Sequence, residues 1–385
     1  MKRLIAQADS RIAPARRQVL AAGTAGLAAL ALPGCATLPA ARPHRAAQRG
    51  CLPRVNVAPD RVIRTVAGLR PYRPSGFVVR AEALGAKRLV HNYGHGGGGI
   101  TLSWGSSRLA VDLALPGQQG GVAVIGAGVM GLTTARLVQE AGFPVTIYTA
   151  KLPPETTSNI AGGQWFPSSV VDGDRLTPAF SAQLVAAARY AYRRYQILAG
   201  EEYGVRWMRN YSMSNRLLTP GPIDTLLMDL FPEAKEVAAG DHPFPYPNVR
   251  QFDGMIVDPG RFLRALERDI RIAGGRIVIR PFHSVDEIAA LPEATVINCT
   301  GLGSRALFGD AELEPVRGQL AVLLPQPEVD YALSAPGGLY MFSRADGVIL
   351  GGTHEHGVEL AEPEPETIAR IVEGHRKLFA GFRCG

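Results

Sequence analysis

"GGVAVIGAGVMGLTTARLVQEAGFPVTIYTA", residues 120–150, decides the fold. Val122–Ile125 is a short apolar run of the kind that forms a strand buried on both faces. Gly126, Gly128 and Gly131 follow with the spacing GxGxxG. In a strand–turn–helix unit the first glycine makes the tight turn, the second admits a pyrophosphate to the backbone, and the third lets helix pack closely on strand. Leu132 to Glu140 reads as the helix, and 145–148 as the next strand. Gly126, Ala127, Gly128, Val129, Met130 and Gly131 are therefore candidate dinucleotide contacts, with the helix N–H groups turned to phosphate. The acid expected to bind ribose at the end of the second strand is absent. The chain there reads Thr149-Ala150-Lys151, and Lys151 is either a phosphate partner or an ordinary surface lysine.

Working outward, "PPETTSNIAGGQWFP" (153–167) sets the hydroxyls of Thr156, Thr157 and Ser158 before a glycine pair. Gly162-Gly163 permits backbone contact with a flat group, with Trp165 as an apolar wall, and Gly163, Gln164 and Trp165 are counted among the cofactor contacts. "MIVDPGRFLRALERDIRIAGG" (255–275) is a strand followed by a helix, with Asp258 at the N-cap and Pro259 in the first turn. Strand "RIVIRPF" follows, and Phe282 at its end is counted among the ligand contacts. "ATVINCTGLGS" (294–304) is another sheet strand. Its Thr300 and Gly301 fall at the carboxyl end, the ligand edge of open α/β sheets. Cys299 reads as a buried small hydrophobe. Runs 317–324, 338–344 and 347–353 suggest a second, mixed sheet, and residues 175–205 look helical. Upstream, "HNYGHGGGGITLSWG" (91–105) places four consecutive glycines at the start of an expected helix, 100–114.

The 385 residues suffice for one large or two ordinary domains. Hydrophobic residues make up 46% and charged residues 19%, which excludes a disordered chain. Five Lys/Arg and one Asp lie within residues 1–34, so four of the seven net positive charges belong to that segment. The remainder carries no basic block interleaved with aromatics, and nucleic acid is not expected as a partner. Arg16-Arg17 precede an apolar run, Val19 to Leu32, too short to span a bilayer as a helix. It suits a twin-arginine export signal. Cys35 after "ALPG" resembles a lipoprotein cleavage site, so export to the periplasm or cell surface, with a lipid anchor, is expected. Residues 36–58 read as a tether.

"VAVIGAGVMGL", "TTSNIAGGQW", "TVINCTGLGS", "PVRGQL", "YMFSRADGVILGG", "GLRPYRPS" and "HNYGHGGGGIT" together resemble the D-amino-acid oxidase family of FAD flavoproteins, which includes the D-aspartate oxidases. In that family the last two close the chain; here they precede the glycine fingerprint. The resemblance therefore implies a circularly permuted α/β fold, a Rossmann-like FAD-binding domain interwoven with a mixed-sheet substrate domain. The partition expected is signal 1–34, tether 35–58, permuted substrate segment 59–86, FAD-binding 87–175, mainly substrate 176–275, FAD-binding 276–316 and substrate 317–385.

The resemblance also implies the site. Gly96, Gly97, Gly98, Gly99, Ile100 and Thr101 would lie at the flavin's pyrimidine end, where the helix dipole favours negative charge. Arg70 would grip the substrate carboxylate in a planar fork, Tyr340 would add its hydroxyl, and the Gly97 carbonyl would receive the amine. Arg73 would be structural or exposed. The lid tyrosine of many animal relatives falls on Pro336, and Phe166 stands where relatives often carry a polar group. Both features lean toward neutral or apolar D-amino acids. The implied reaction is FAD-dependent oxidative deamination by hydride transfer to flavin N5, giving 2-oxo acid, ammonia and, with molecular oxygen, hydrogen peroxide. The alternatives are a dehydrogenase passing electrons to a quinone or protein, a D-aspartate oxidase, and a flavin-binding protein without turnover, against which Arg70 and Tyr340 argue. His354 and His356 are imaginable metal ligands, but no third ligand accompanies them and no metal is expected. The permutation would bring the chain ends together, so a Cys51–Cys384 disulfide is expected in an oxidising compartment.

Overall fold

The computed structural model describes residues 51–383. The leader, Cys35, most of the tether, and Cys384 lie outside them. The chain opens with β1 (Val62–Tyr72), the hairpin β2 (Val78–Leu84) and β3 (Lys87–Tyr93), and helix α1 (Gly99–Ala114). The fingerprint unit follows as β4 (Val122–Ile125), α2 (Val129–Glu140) and β5 (Val145–Thr149). A long excursion contains α3 (Pro178–Ile197), β6 (Val205–Ser214), α4 (Pro222–Leu227), β7 (Lys235–Val237) and β8 (Asn248–Val257). The chain returns through α5 (Pro259–Ile272), β9 (Arg276–Ile279), α6 (Val285–Ala289), β10 (Thr295–Asn298) and α7 (Gly303–Phe308). It ends with β11 (Glu314–Leu323), β12 (Tyr331–Ala335), β13 (Leu339–Arg344), β14 (Gly347–Gly351), β15 (Glu355–His356) and α8 (Pro365–Ala380).

Two sheets result. Six strands run in the order β2-β3-β10-β4-β5-β9, parallel from β3 onward, with β2 as an antiparallel edge. Every residue of β4, β5 and β10 is buried, as expected of parallel strands covered on both faces. The second sheet has the order β1-β11-β14-β13-β12-β6-β8-β7, with β15 on β11; its pairs are antiparallel except β12 with β6. The mixed α/β class read from the sequence is the one observed.

Helix α1 is an interior helix. Eleven of its sixteen residues are buried, so it has no broad solvent face. It packs on α2, α3 and β3. Asp258 caps α5 as expected, its carboxylate accepting the Arg261 N–H at 3.1 Å, an interaction worth about 1 kcal/mol.

Two expectations are corrected. The last part of the tether is packed: Val55 and Val57 are buried, Asn56 N–H donates to Gln326 Oε1 at 2.7 Å, and the Tyr331 hydroxyl donates to the Pro53 carbonyl at 2.6 Å. Val55 and Val57, with Leu52 beside them, dock it on the core of the mixed sheet. Strand β2, placed with the substrate segment 59–86, instead edges the six-stranded sheet, because its two-residue turn to β3 imposes hairpin pairing. The two ends of the described chain meet: Arg54 Nη2 donates to the Phe382 carbonyl at 2.6 Å.

Candidate functional site

A cavity of about 860 Å³ runs from the carboxyl edge of the parallel strands to the face of the mixed sheet. At one end the turn after β4 is built for close approach. Gly126 has φ +107°, and a Cβ there would lie 2.5 Å from the Cys299 carbonyl oxygen on β10's exit. A Cβ at Gly131 would lie 1.9 Å from the Gly126 carbonyl oxygen. Gly131 thus lets α2 sit against the turn and does not itself line the cavity, whereas Gly126, Ala127, Gly128, Val129 and Met130 do. Ser158 reaches in from the hydroxyl cluster and its Oγ accepts the Val129 N–H at 2.9 Å. Thr156, Thr157, Lys151, Phe282, Thr300 and Gly301 complete this end.

Arg280 also lines it, with its guanidinium 5.0 Å over the Phe282 ring. The sequence reading passed over Arg280, although it stands just past a strand's carboxyl end, the edge where ligands bind. No acid stands directly at the end of β5; Lys151 and Arg280 line this end together with one carboxylate, Glu155. Cys299 is buried, and burial pushes its thiol up to about 12, so it stays protonated.

The middle is backbone from two segments. Gly96, Gly97, Gly99 and Ile100 face the cavity from the start of α1, whose N-terminus has no side-chain cap. Gly163, Gln164 and Phe166 face it from the loop after the hydroxyl cluster. Three expected contacts do not line it. Gly98 is turned to Val170, and the Thr101 hydroxyl is held by the Phe166 backbone, donating to the carbonyl at 3.0 Å. Trp165 is buried away from the cavity against Tyr192 and Phe231. Its neighbours on both sides face the ligand space, so an extended backbone turns Trp165 inward. His95, missed in the sequence, lines the cavity too; it is fully buried on the Phe77 ring, and burial lowers it to about 3, so it is neutral.

At the far end Arg70 (β1) and Tyr340 (β13) come together although 270 residues separate them in sequence. The Arg70 guanidinium lies on Gly318 and donates from Nη1 to the Thr353 carbonyl at 3.3 Å. Among the described residues no carboxylate pairs with it. Tyr340 stacks on Phe342 with ring centroids 5.0 Å apart. Burial holds its hydroxyl above the ordinary tyrosine range, and the nearby Arg70 charge offsets only part of that. Arg73 has the structural role expected, joined to Asp310 at 2.8 Å and Glu312 at 2.6 Å. His354 stands at the cavity edge, and burial together with Arg70 disfavours its charged form. His356 is taken by Glu314 at 2.7 Å. The link from β12 to β13 is the short turn Pro336–Gly338.

The chain belongs to the family described as FAD dependent oxidoreductase (DAO), which it matches over residues 11–113 and 121–384. It is 32% identical to a D-amino-acid oxidase of Streptomyces coelicolor over 263 residues, 66% of this chain and 76% of that protein. It is 29% identical to the D-aspartate oxidase of Homo sapiens over 262 residues, 65% and 73% of the two chains. The crystal structure of glycine oxidase from Geobacillus kaustophilus shares the fold, with TM-score 0.50 and 15% identity over 68% of this chain and 78% of that one.

The protein is a flavin-dependent oxidoreductase and its cofactor is FAD. The residues present fit that group. Two helix N-termini with glycine at the N-cap open on one cavity, and the backbone turn at Gly126 leaves no room for a Cβ. Lys151 and Arg280, two cations against the single carboxylate of Glu155, suit the diphosphate-bearing half of a dinucleotide.

Proposed function

We propose that the protein oxidises D-amino acids, converting amino acid, oxygen and water to 2-oxo acid, ammonia and hydrogen peroxide. The observation that carries this reading is Arg70: a guanidinium at the cavity wall, beside the Tyr340 hydroxyl, with no carboxylate partner among the described residues. A planar fork left free in a partly desolvated site suits a substrate carboxylate. Tyr340 keeps its proton and donates to the same carboxylate. The Gly97 carbonyl, on the glycine run, accepts from the substrate amine and so favours its neutral form. Three fixed contacts orient the α-carbon, and orientation supplies much of the rate. FAD, when bound, supplies the two-electron oxidation that this chain's side chains lack. The D-stereochemistry rests on the names of the relatives of similar sequence. The test is a peroxide assay over a panel of D- and L-amino acids. Turnover confined to L-amino acids, or none under air, defeats the reading.

The side-chain preference proposed is for neutral or apolar D-amino acids over D-aspartate. Phe166, which lines the cavity and packs with Phe231 and Phe252, supports it. The circular permutation is proposed on three grounds. Residues 62–114 supply strands to both sheets and the interior helix α1. The two ends of the described chain touch. The curated relatives align over a length close to that of the second matched segment alone. Export, a lipid anchor at Cys35 and the Cys51–Cys384 bridge go with this reading. The Arg54–Phe382 contact supports the bridge, and non-reducing peptide mapping of exported protein tests it.

A further inference from the structure

The segment "PVRGQL" carries sequence resemblance but none of the contacts named so far except Gly318. It lies on β11, beside β1, with Arg70 opposite Val316 and Gly68 opposite Gly318. The Arg70 guanidinium crosses diagonally onto Gly318, where a Cβ would stand 2.3 to 2.6 Å from its Nη2, Nη1 and Cζ atoms. Nη1 donates to the Thr353 carbonyl at 3.3 Å. Thr353 is itself held from behind: its Oγ1 accepts the Gln319 N–H at 3.0 Å and donates to the Arg317 carbonyl at 3.3 Å.

Gln319 is fully buried and all of its side-chain groups are engaged. Its Nε2 donates to Glu355 Oε1 at 2.9 Å, and its Oε1 accepts the Glu364 N–H at 2.7 Å. Arg317, also buried, reaches the same two residues through their carboxylates, pairing with Glu355 and with Glu364 at 2.6 Å. One amide therefore ties β11, the 353–355 turn and the start of α8 together, directly behind the carbonyl on which Arg70 rests. The network is buried at Gln319 and Arg317 and reaches solvent at Glu364, and a hydrogen-bonded network of this kind rigidifies what it touches.

We propose that Gln319 and Thr353 are positioning residues. They fix the Thr353 carbonyl so that it pins one arm of the Arg70 guanidinium flat on Gly318, leaving its other donors aligned for a carboxylate. This rests on Arg70 being the carboxylate site. An untethered guanidinium would still attract a carboxylate, but it would lose its planar alignment, so affinity falls while the flavin stays bound.

The experiment is a double-mutant cycle on the FAD-loaded protein, with propionate as probe and its binding read from perturbation of the flavin absorbance. Gln319→Ala is expected to raise the Kd for propionate and the KM for the amino acid together, by about tenfold, the size of one charge-assisted hydrogen bond. kcat should stay within about twofold, as for loss of uniform binding. In an Arg70→Ala background the same change should add nothing. Thr353→Val, which keeps the shape without the hydroxyl, should repeat the effect if Gln319→Ala fails to fold, and Thr353→Ser should restore affinity. A loss in Arg70→Ala with none in Gln319→Ala or Thr353→Val overturns the positioning role alone. So does an equal loss with and without Arg70, which marks a merely structural part. Equal propionate affinity in the unaltered protein and Arg70→Ala overturns the carboxylate site and this proposal with it.

Discussion

The two ends of the cavity are built on opposite principles. The fingerprint end has at its centre a backbone turn, residues 126–130, set by local sequence. The Arg70–Tyr340 end is side chain, delivered by β1 and β13 of a mixed sheet and braced by β11. A backbone site is altered only by adding atoms; a side-chain site is altered by removing them. The first tolerates many exchanges of side chain around it, provided its glycines remain. The second is sensitive to single atoms on residues far apart in sequence.

Substitutions separate the two ends. Arg70→Ala is expected to have the largest effect on turnover. Loss of one partner of a desolvated charge pair costs about 2–5 kcal/mol, a fall of roughly 30-fold or more in kcat/KM, with the rise falling on KM. Flavin absorbance should be unchanged. If the flavin leaves with Arg70, the two ends are not independent. Gly131→Ala is the converse. Its methyl would meet the Gly126 carbonyl oxygen at 1.9 Å, and overpacking of this kind costs about 1–3 kcal/mol. The purified protein should lose flavin while whatever holo fraction remains keeps its KM. A full complement of flavin in that variant would show that α2 can withdraw from the turn.

Tyr340→Phe removes one hydrogen bond and should cost about 1 kcal/mol, near fivefold in KM. A pH titration sharpens the same end with the smallest expected change. Burial raises the Tyr340 pKa above its ordinary value of 10.0, so its proton is retained on going up from neutrality to that pH. Propionate affinity should therefore stay flat between about pH 7 and 10, read from the flavin spectrum. A loss with a midpoint inside that window, abolished in Tyr340→Phe, would mean the hydroxyl is better solvated than its surroundings indicate.

Local sequence was enough for the fingerprint. Val122–Ile125, the three glycines and the helix after them occupy consecutive positions, so each element's period and punctuation can be read where it stands. The α5 cap at Asp258 was legible for the same reason: it acts within one turn. The direction of the Trp165 ring was not legible, because an extended backbone alternates its sides and which side faces the ligand depends on how the loop is held. That loop is fixed by bonds to Met255 and Val257 on β8, some ninety residues on. The partner of the Thr101 hydroxyl, the Phe166 backbone, was not legible because it lies in another segment.

The class of fold and the flavin end follow from the order of apolar runs and glycines, because burial and backbone sterics act over a few residues. Arg70 could be singled out only by resemblance, since nothing local distinguishes it from the other arginines. Tertiary structure decided that Arg73 is spent on Asp310 and Glu312 while Arg70 is not. It also placed Gly318, Thr353 and Gln319 behind that guanidinium. The reason is physical: whether a charge is free, and what braces it, depends on partners brought by sheet pairing from more than two hundred residues away.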